Sequence, residues 1–118
     1  MDCLPRDTEW CELKRGRDFL QWRDSVDRIV TNPPWNQIRV FLRHSFKIAE
    51  HVAFLMTINH AWTTARLRDA REAGFGIQEI IFVETPHSFP RSGFQLGMVV
   101  YARGHRGSIT LHELPGRW

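Results

Sequence analysis

Residues 52–58 limit the possible folds of this chain more than any other segment, because all of them except Thr57 are apolar. A short run without polar alternation is typical of a strand buried on both faces. The run follows a segment in which apolar residues recur at positions 38, 41, 42, 46 and 49, the spacing of an amphipathic helix that begins at Ile38. A helix followed directly by a buried strand favours the α/β class.

The rest of the chain extends this alternation. A second helix is predicted over residues 63–73 and ends at Gly74. Further strands are predicted over residues 9–13, 28–31, 79–83 and 96–101. Residues 104–107 form a turn, and we expect residues 108–112 to pair back as a hairpin. Strands alternating with helices predict a mostly parallel sheet whose last strands are antiparallel.

Composition sets broad limits on the protein class. With 118 residues, 42% of them hydrophobic and 25% charged, we expect residues 1–118 to form a single domain. No apolar run approaches the roughly 20 residues of a membrane span, and no signal peptide is recognisable, so we expect a cytoplasmic location and no membrane partner. Cys3 and Cys11 match no zinc spacing and the six histidines are scattered, so we expect no metal site.

A loop of unusual chemistry follows the strand predicted over residues 28–31. It consists of Asn32, Pro33, Pro34 and Trp35 and is called the Pro-Pro loop below. Two successive prolines fix the backbone and remove two N–H donors, so the loop presents hydrogen-bond acceptors with few competing donors. The Asn32 side-chain oxygen and the Pro33 carbonyl would accept the two hydrogens of an exocyclic amino group, and Trp35 offers a flat face for stacking.

The same four residues also have an ordinary interpretation. Asn-Pro often opens a turn, and Pro-Pro before an aromatic residue occurs in many loops. The position between a buried strand and a helix favours the binding interpretation, because catalytic loops of parallel sheets lie at the carboxyl ends of strands.

Together these features resemble the class I S-adenosylmethionine-dependent methyltransferases that modify adenine N6, over roughly residues 9 to 103. The resemblance implies a partial Rossmann-like sheet and catalytic roles for Asn32, Pro33, Pro34 and Trp35. It implies that Glu12 binds the cofactor ribose, and that Asp18 with Phe19 contacts the cofactor adenine.

One departure from the family pattern concerns the cofactor. The family's first strand ends in a Gly-rich loop at the methionine part of S-adenosylmethionine, and residues 1–8 contain no glycine. The cofactor would then bind weakly or only with a partner. Without that central strand, residues 28–31 would form an exposed edge, which we expect residues 9–13 or a second copy of the chain to cover.

Other candidate contacts are less specific. Phe89 and its neighbours up to Gln95 form a loop that either closes over a substrate or simply connects two strands. His60 and Trp62 are predicted at the same end of the sheet, where structural roles are the simpler interpretation. Six basic residues follow the polar faces of the two helices and either track phosphates or keep the helices soluble: Arg39, Arg43, Lys47, Arg66, Arg68 and Arg71. The net charge of +3 agrees with a nucleic-acid partner.

Two functional hypotheses follow from the sequence. In the favoured one, the chain is a methyltransferase-derived module that is inactive alone and binds nucleic acid or another protein, for instance as an inhibitor of the anti-CRISPR or anti-restriction type. In the alternative, it is an adenine-N6 DNA methyltransferase that becomes active when a partner or a second copy completes the cofactor site. The favoured hypothesis depends on the missing cofactor loop, because methyl transfer needs the donor held within reacting distance.

Overall fold

The computed structural model describes residues 19–84 and 95–113. The helices are α1 (Ile38–Ile48) and α2 (Thr64–Glu72). The strands are β1 (Val26–Thr31), β2 (Ala49–Thr57), β3 (Phe75–Val83), β4 (Leu96–Arg103) and β5 (Thr110–Glu113). Short 3₁₀ turns lie at Phe19–Gln21, Trp35–Gln37 and Ile58–Ala61. The α/β class predicted from the sequence is confirmed.

The described strands form one sheet in the order β1-β2-β4-β3-β5. β1 is parallel to β2 and β3 is parallel to β5, whereas β4 is antiparallel to both of its neighbours. Four of these strands therefore point in one direction and β4 points in the other. In the described part of the chain, β1 pairs with β2 alone, so the segment predicted as an edge forms an edge of the described sheet.

The predicted hairpin of residues 108–112 is wrong. β4 is already hydrogen-bonded to β2 on one side and to β3 on the other, so neither of its edges is open to a further strand. The chain instead passes the start of β3, where Gly76 lies close to His105, and β5 pairs with β3 in parallel, with Ile80 opposite Leu111.

The core lies between the two helices and one face of the sheet. Ile38, Leu42 and Phe46 of α1 pack against a cluster that includes Val52 and Phe54 of β2. This is the stripe that the helical periodicity predicts, and burying it stabilises the fold by about 1.5–3 kcal/mol for each large side chain.

The sequence predicts that β2 is buried on both faces, and the structure shows full burial on one face only. Val52, Phe54 and Met56 are fully buried under the helices. Ala53 and Leu55 point to the opposite face and are half-buried. The uniform apolar run therefore lies on a sheet with one fully buried face and one partly covered face.

α2 begins and ends with local signals that the sequence contains. The Thr63 side chain accepts a hydrogen bond from the Arg66 N–H, an ordinary helix N-cap. After Glu72, Gly74 adopts a φ of 82°, a left-handed conformation that glycine takes without strain, and the chain turns into β3. β3 begins at Phe75, earlier than the predicted residue 79, because an irregularity in pairing between Ile77 and Glu79 interrupts the side-chain alternation.

Candidate nucleobase site at the carboxyl end of the sheet

The Pro-Pro loop lies where the sequence predicts it, directly between β1 and α1. β1 ends at Thr31, and the next residue, Asn32, is exposed. Pro33 is buried, whereas Pro34 is exposed and has an extended conformation, with φ −59° and ψ 127°. The turn Trp35–Gln37 follows and is closed by the Gln37 N–H, which donates to the Pro34 carbonyl at 2.9 Å. The loop is therefore held by a buried proline on one side and a hydrogen-bonded turn on the other.

The two acceptors that the loop chemistry requires are free within the described residues. The Asn32 side chain makes no hydrogen bond to any described group. The Pro33 carbonyl accepts no backbone hydrogen bond from the described part of the chain, in contrast to the Pro34 carbonyl. Neither proline has an N–H to compete. Two adjacent residues of the loop thus carry an amide oxygen and a carbonyl oxygen without a described hydrogen-bond partner.

Trp35 connects this loop to the core. Its side chain is half-buried and packs against the hydrophobic cluster under the sheet. A large aromatic residue that is anchored on one side and accessible on the other provides a rigid stacking surface at low entropic cost.

Other segments meet the loop at the same end of the sheet. β1, β2 and β3 all finish there, and β4 starts there, since Thr57 and Val83 both lie opposite Leu96. His60 and Trp62 follow the end of β2 and so belong to this end, as predicted. Trp62 is 44% exposed, and the Nδ1 atom of His60 is buried without a described partner. Of the loop predicted to cover a substrate, residues 89–95, only Gln95 belongs to the described residues.

Gln95 organises this end of the sheet, a role that the sequence does not indicate. Its side-chain amide donates to the carbonyls of Val83 and Leu96, at 2.9 and 2.8 Å. Its own carbonyl accepts the Ile58 N–H at 2.8 Å. Gln95 thereby joins the end of β3, the start of β4 and the turn after β2. Only its position next to an apolar strand could have hinted at this.

The cofactor side is represented by Phe19 alone in the described residues. Glu12, Asp18 and the predicted strand at residues 9–13 lie outside them. The Phe19 ring stacks on Phe41 of α1 with centroids 5.3 Å apart and meets the His44 ring edge-on at 5.0 Å. The described ring contacts of Phe19 are therefore with α1, and no other predicted cofactor-binding residue lies in the described part of the chain.

One of the basic residues predicted to track phosphates is already engaged. Arg39 of α1 donates to Asp69 of α2 from Nε to Oδ2 at 2.8 Å and from Nη2 to Oδ1 at 3.3 Å. The hydrogen bond from Arg39 lowers the pKa of the Asp69 carboxyl, although burial of that carboxyl acts in the opposite direction. Arg43 and Lys47 are exposed on the same helix, so the basic face is reduced rather than absent.

Two further observations limit the chemistry of the described part. Within residues 19–84 and 95–113, no three His, Cys, Asp or Glu side chains are grouped closely enough to hold a metal ion. In the same residues, no helix has the length and apolarity to cross a membrane.

The described helices and five-stranded sheet form an α/β fold that is similar to the Rossmann-like fold of methyltransferases. The chain is similar, with a TM-score of 0.55 and 18% sequence identity, to the crystal structure of a "putative RNA methyltransferase PH1948 from Pyrococcus horikoshii". The match covers 74% of this chain and 48% of that one, so this chain corresponds to about half of that protein. No protein-family model and no curated protein matches the chain.

Proposed function

We propose that the Pro-Pro loop binds a nucleobase that carries an exocyclic amino group, with adenine as the first candidate, extruded from a nucleic acid. The observation that carries the proposal is the free Asn32 side chain beside the free Pro33 carbonyl, at the carboxyl end of β1. Ligands of open α/β sheets bind at this end of the strands.

Each loop residue has a distinct role in this proposal. The Asn32 side-chain oxygen and the Pro33 carbonyl accept the two amino hydrogens, which discriminates against a base without an amino group. Trp35 stacks against the base. Buried Pro33 and the turn after Pro34 fix these groups before binding, so little ordering cost arises when the base enters.

Binding, without methyl transfer by this chain alone, is the function that the described residues support. They include the acceptors and the aromatic ring that this proposal assigns to the target base, whereas the predicted donor side is limited to Phe19, whose ring packs on α1. As a binding module, the chain would hold a nucleic acid whose backbone contacts Arg43 and Lys47. An inhibitor of the anti-CRISPR or anti-restriction type is one form of such a module.

A second candidate function is methyl transfer to adenine N6 with S-adenosylmethionine, completed by a partner or a second copy. The similarity of the fold to the solved structure from Pyrococcus horikoshii favours this candidate. Because that structure is described as one of a "putative RNA methyltransferase", RNA belongs beside DNA among the candidate substrates.

The experiment compares two oligothymidylates that differ at one central position, adenine in one and purine in the other. Purine lacks the 6-amino group and stacks similarly. The wild-type chain should bind the adenine strand about tenfold more tightly than the purine strand. This ratio corresponds to a difference of roughly 1.4 kcal/mol in binding free energy. Asn32→Ala removes one of the two acceptors and should strongly reduce this preference, whereas Asn36→Ala, at an exposed residue of the adjoining turn, should retain it.

Equal affinity of the wild-type chain for both strands would overturn the proposal. Trp35→Phe should keep most of the affinity for both strands, because the ring still stacks.

Calorimetric titration with S-adenosylmethionine separates the two candidate functions, since micromolar binding by the chain alone would favour the enzyme.

A further inference from the structure

A cavity of about 370 Å³ lies at the opposite end of the sheet from the Pro-Pro loop. It is formed where α2 turns into β3 and where β4 leads into β5, so the two turns face each other. The Gly104 N–H donates to the Gly74 carbonyl at 2.8 Å and joins these turns. The volume falls within the range of pockets that hold small organic ligands.

Glycines shape this cavity. A Cβ atom at Gly76 would collide with the His105 carbonyl oxygen, so the absence of a side chain lets the second turn approach β3. Gly74 and Gly107 have φ angles of 82° and 108°, and a Cβ atom at either position would meet open space. The backbone at the cavity is therefore accessible to a ligand.

The charge around the cavity is positive. Arg71, in the last turn of α2, and Arg106, in the turn after β4, both line it and are both exposed. Neither side chain forms a hydrogen bond or an ion pair with any described group. No acidic residue is among the described residues that line the cavity.

The carboxyl end of α2 opposes this charge only in part. A helix C-terminus carries roughly half a negative charge, against two full positive charges from the guanidinium groups. The Arg71 and Asp69 carbonyls at this end already accept the N–H groups of Gly74 and Ala73. An anion at the cavity mouth would therefore experience a net attraction.

We propose that this cavity binds the phosphate of a nucleotide-sized organic phosphate. Arg71 and Arg106 hold the phosphate, because guanidinium groups match its oxygens with paired hydrogen bonds. The body of the ligand lies against the apolar wall, to which Leu67 and Ile109 contribute accessible surface. The ligand is either a free nucleotide or the phosphorylated end of a nucleic-acid strand.

The site is independent of the Pro-Pro loop, and the experiment uses that independence. The chain carrying Asn32→Ala is titrated with adenosine 5′-monophosphate, adenosine and inorganic phosphate while its backbone amides are followed by NMR. The monophosphate should shift the amides of Gly74, Gly76 and Gly107. Adenosine should shift them much less, and inorganic phosphate should bind more weakly than the nucleotide.

Matched variants identify the charges. Arg71→Gln and Arg106→Gln should each weaken binding of the monophosphate by about fivefold, since each removes a charged hydrogen-bond donor. Arg68→Gln, on the same helix but outside the cavity lining, should leave it unchanged. Because all three side chains are exposed, these variants should fold.

The source of the phosphate is resolved with oligothymidylates that carry either a 5′-phosphate or a 5′-hydroxyl. Preference for the phosphorylated strand identifies a strand end, and binding of the monophosphate alone identifies a free nucleotide. The proposal is overturned if adenosine binds as well as its monophosphate, if both arginine variants bind normally, or if no amide near the cavity responds at millimolar ligand.

Discussion

Arg39 and Asp69 join α1 to α2 through a two-point ion pair. The carboxylate side chain is only 6% exposed, whereas the arginine side chain is 53% exposed. The partly solvated arginine therefore compensates a carboxylate that has little contact with water. The pair also removes one cation from the basic face of α1.

The contribution of the Arg39–Asp69 ion pair to the stability of the fold should depend on pH. Arg39 lowers the folded-state pKa of Asp69 below the unfolded value of about 3.9. The pair therefore stabilises the fold fully above that unfolded value, and the contribution is lost as the pH falls through the lowered folded pKa. Urea unfolding should show Arg39→Gln less stable than the wild type near neutral pH, with a smaller difference at about pH 2–3.

Lys47→Gln is the control for this measurement, because Lys47 is an exposed cation of α1 that does not contact Asp69. The difference in free energy of unfolding between Lys47→Gln and the wild type should change much less with pH. If this difference shrank at low pH as much as that of Arg39→Gln, net charge and not the ion pair would cause the effect.

Gly97→Ala should destabilise the fold through crowding. The added Cβ atom would lie 2.8 Å from the Ile58 side chain and 3.2 Å from the Ile81 carbonyl oxygen. Overpacking of this kind costs about 1–3 kcal/mol of the free energy of unfolding. Combined with Ile58→Ala, the added methyl group would occupy vacated space, so a double-mutant cycle by urea unfolding should give less than the sum of the single effects.

Gly76→Ala should cost more than Gly97→Ala, because its Cβ atom would collide with the His105 backbone and no rotamer change relieves that contact. The turn between β4 and β5 must move away from β3. We expect a loss above about 2 kcal/mol, with local loss of hydrogen-exchange protection in β5. Unaltered protection of β5 would contradict the close approach of these backbones.

Tyr101→Phe should preserve or raise stability. The Tyr101 hydroxyl is buried, has no described hydrogen-bond partner, and its burial raises the pKa of the phenol. Removing an unsatisfied buried hydroxyl is worth from zero to about 1–2 kcal/mol. Tyr101→Ala should instead cost about 3–5 kcal/mol, because the ring packs edge-on against Phe46 at 5.4 Å. A loss of stability in the phenylalanine variant would indicate that the hydroxyl is satisfied by water.

Local patterns in the sequence predict the elements that periodicity and turn chemistry determine. α1 begins at Ile38 as predicted, and Gly74 follows α2 with the expected positive φ. The strand before the Pro-Pro loop is also present, so the position of the candidate base site could be predicted. Each of these features depends on residues that are close together in the sequence.

Long-range pairing could not be predicted. The parallel partner of β5 depends on both edges of β4 being occupied, which no local segment encodes. The contacts of Asp69 with Arg39, 30 residues earlier, and of Gln95 with Val83 are likewise products of the folded chain. The cavity between Arg71 and Arg106 arises only because two distant turns meet.

The central position of β4 affects how the chain can fold during synthesis. β4 comes after β2 and β3 in the chain, yet it lies between them. Until the ribosome releases residues 96–103, the facing edges of β2 and β3 have no strand to join them. A nascent chain that ends before Leu96 would therefore expose two open strand edges, which are prone to non-native pairing.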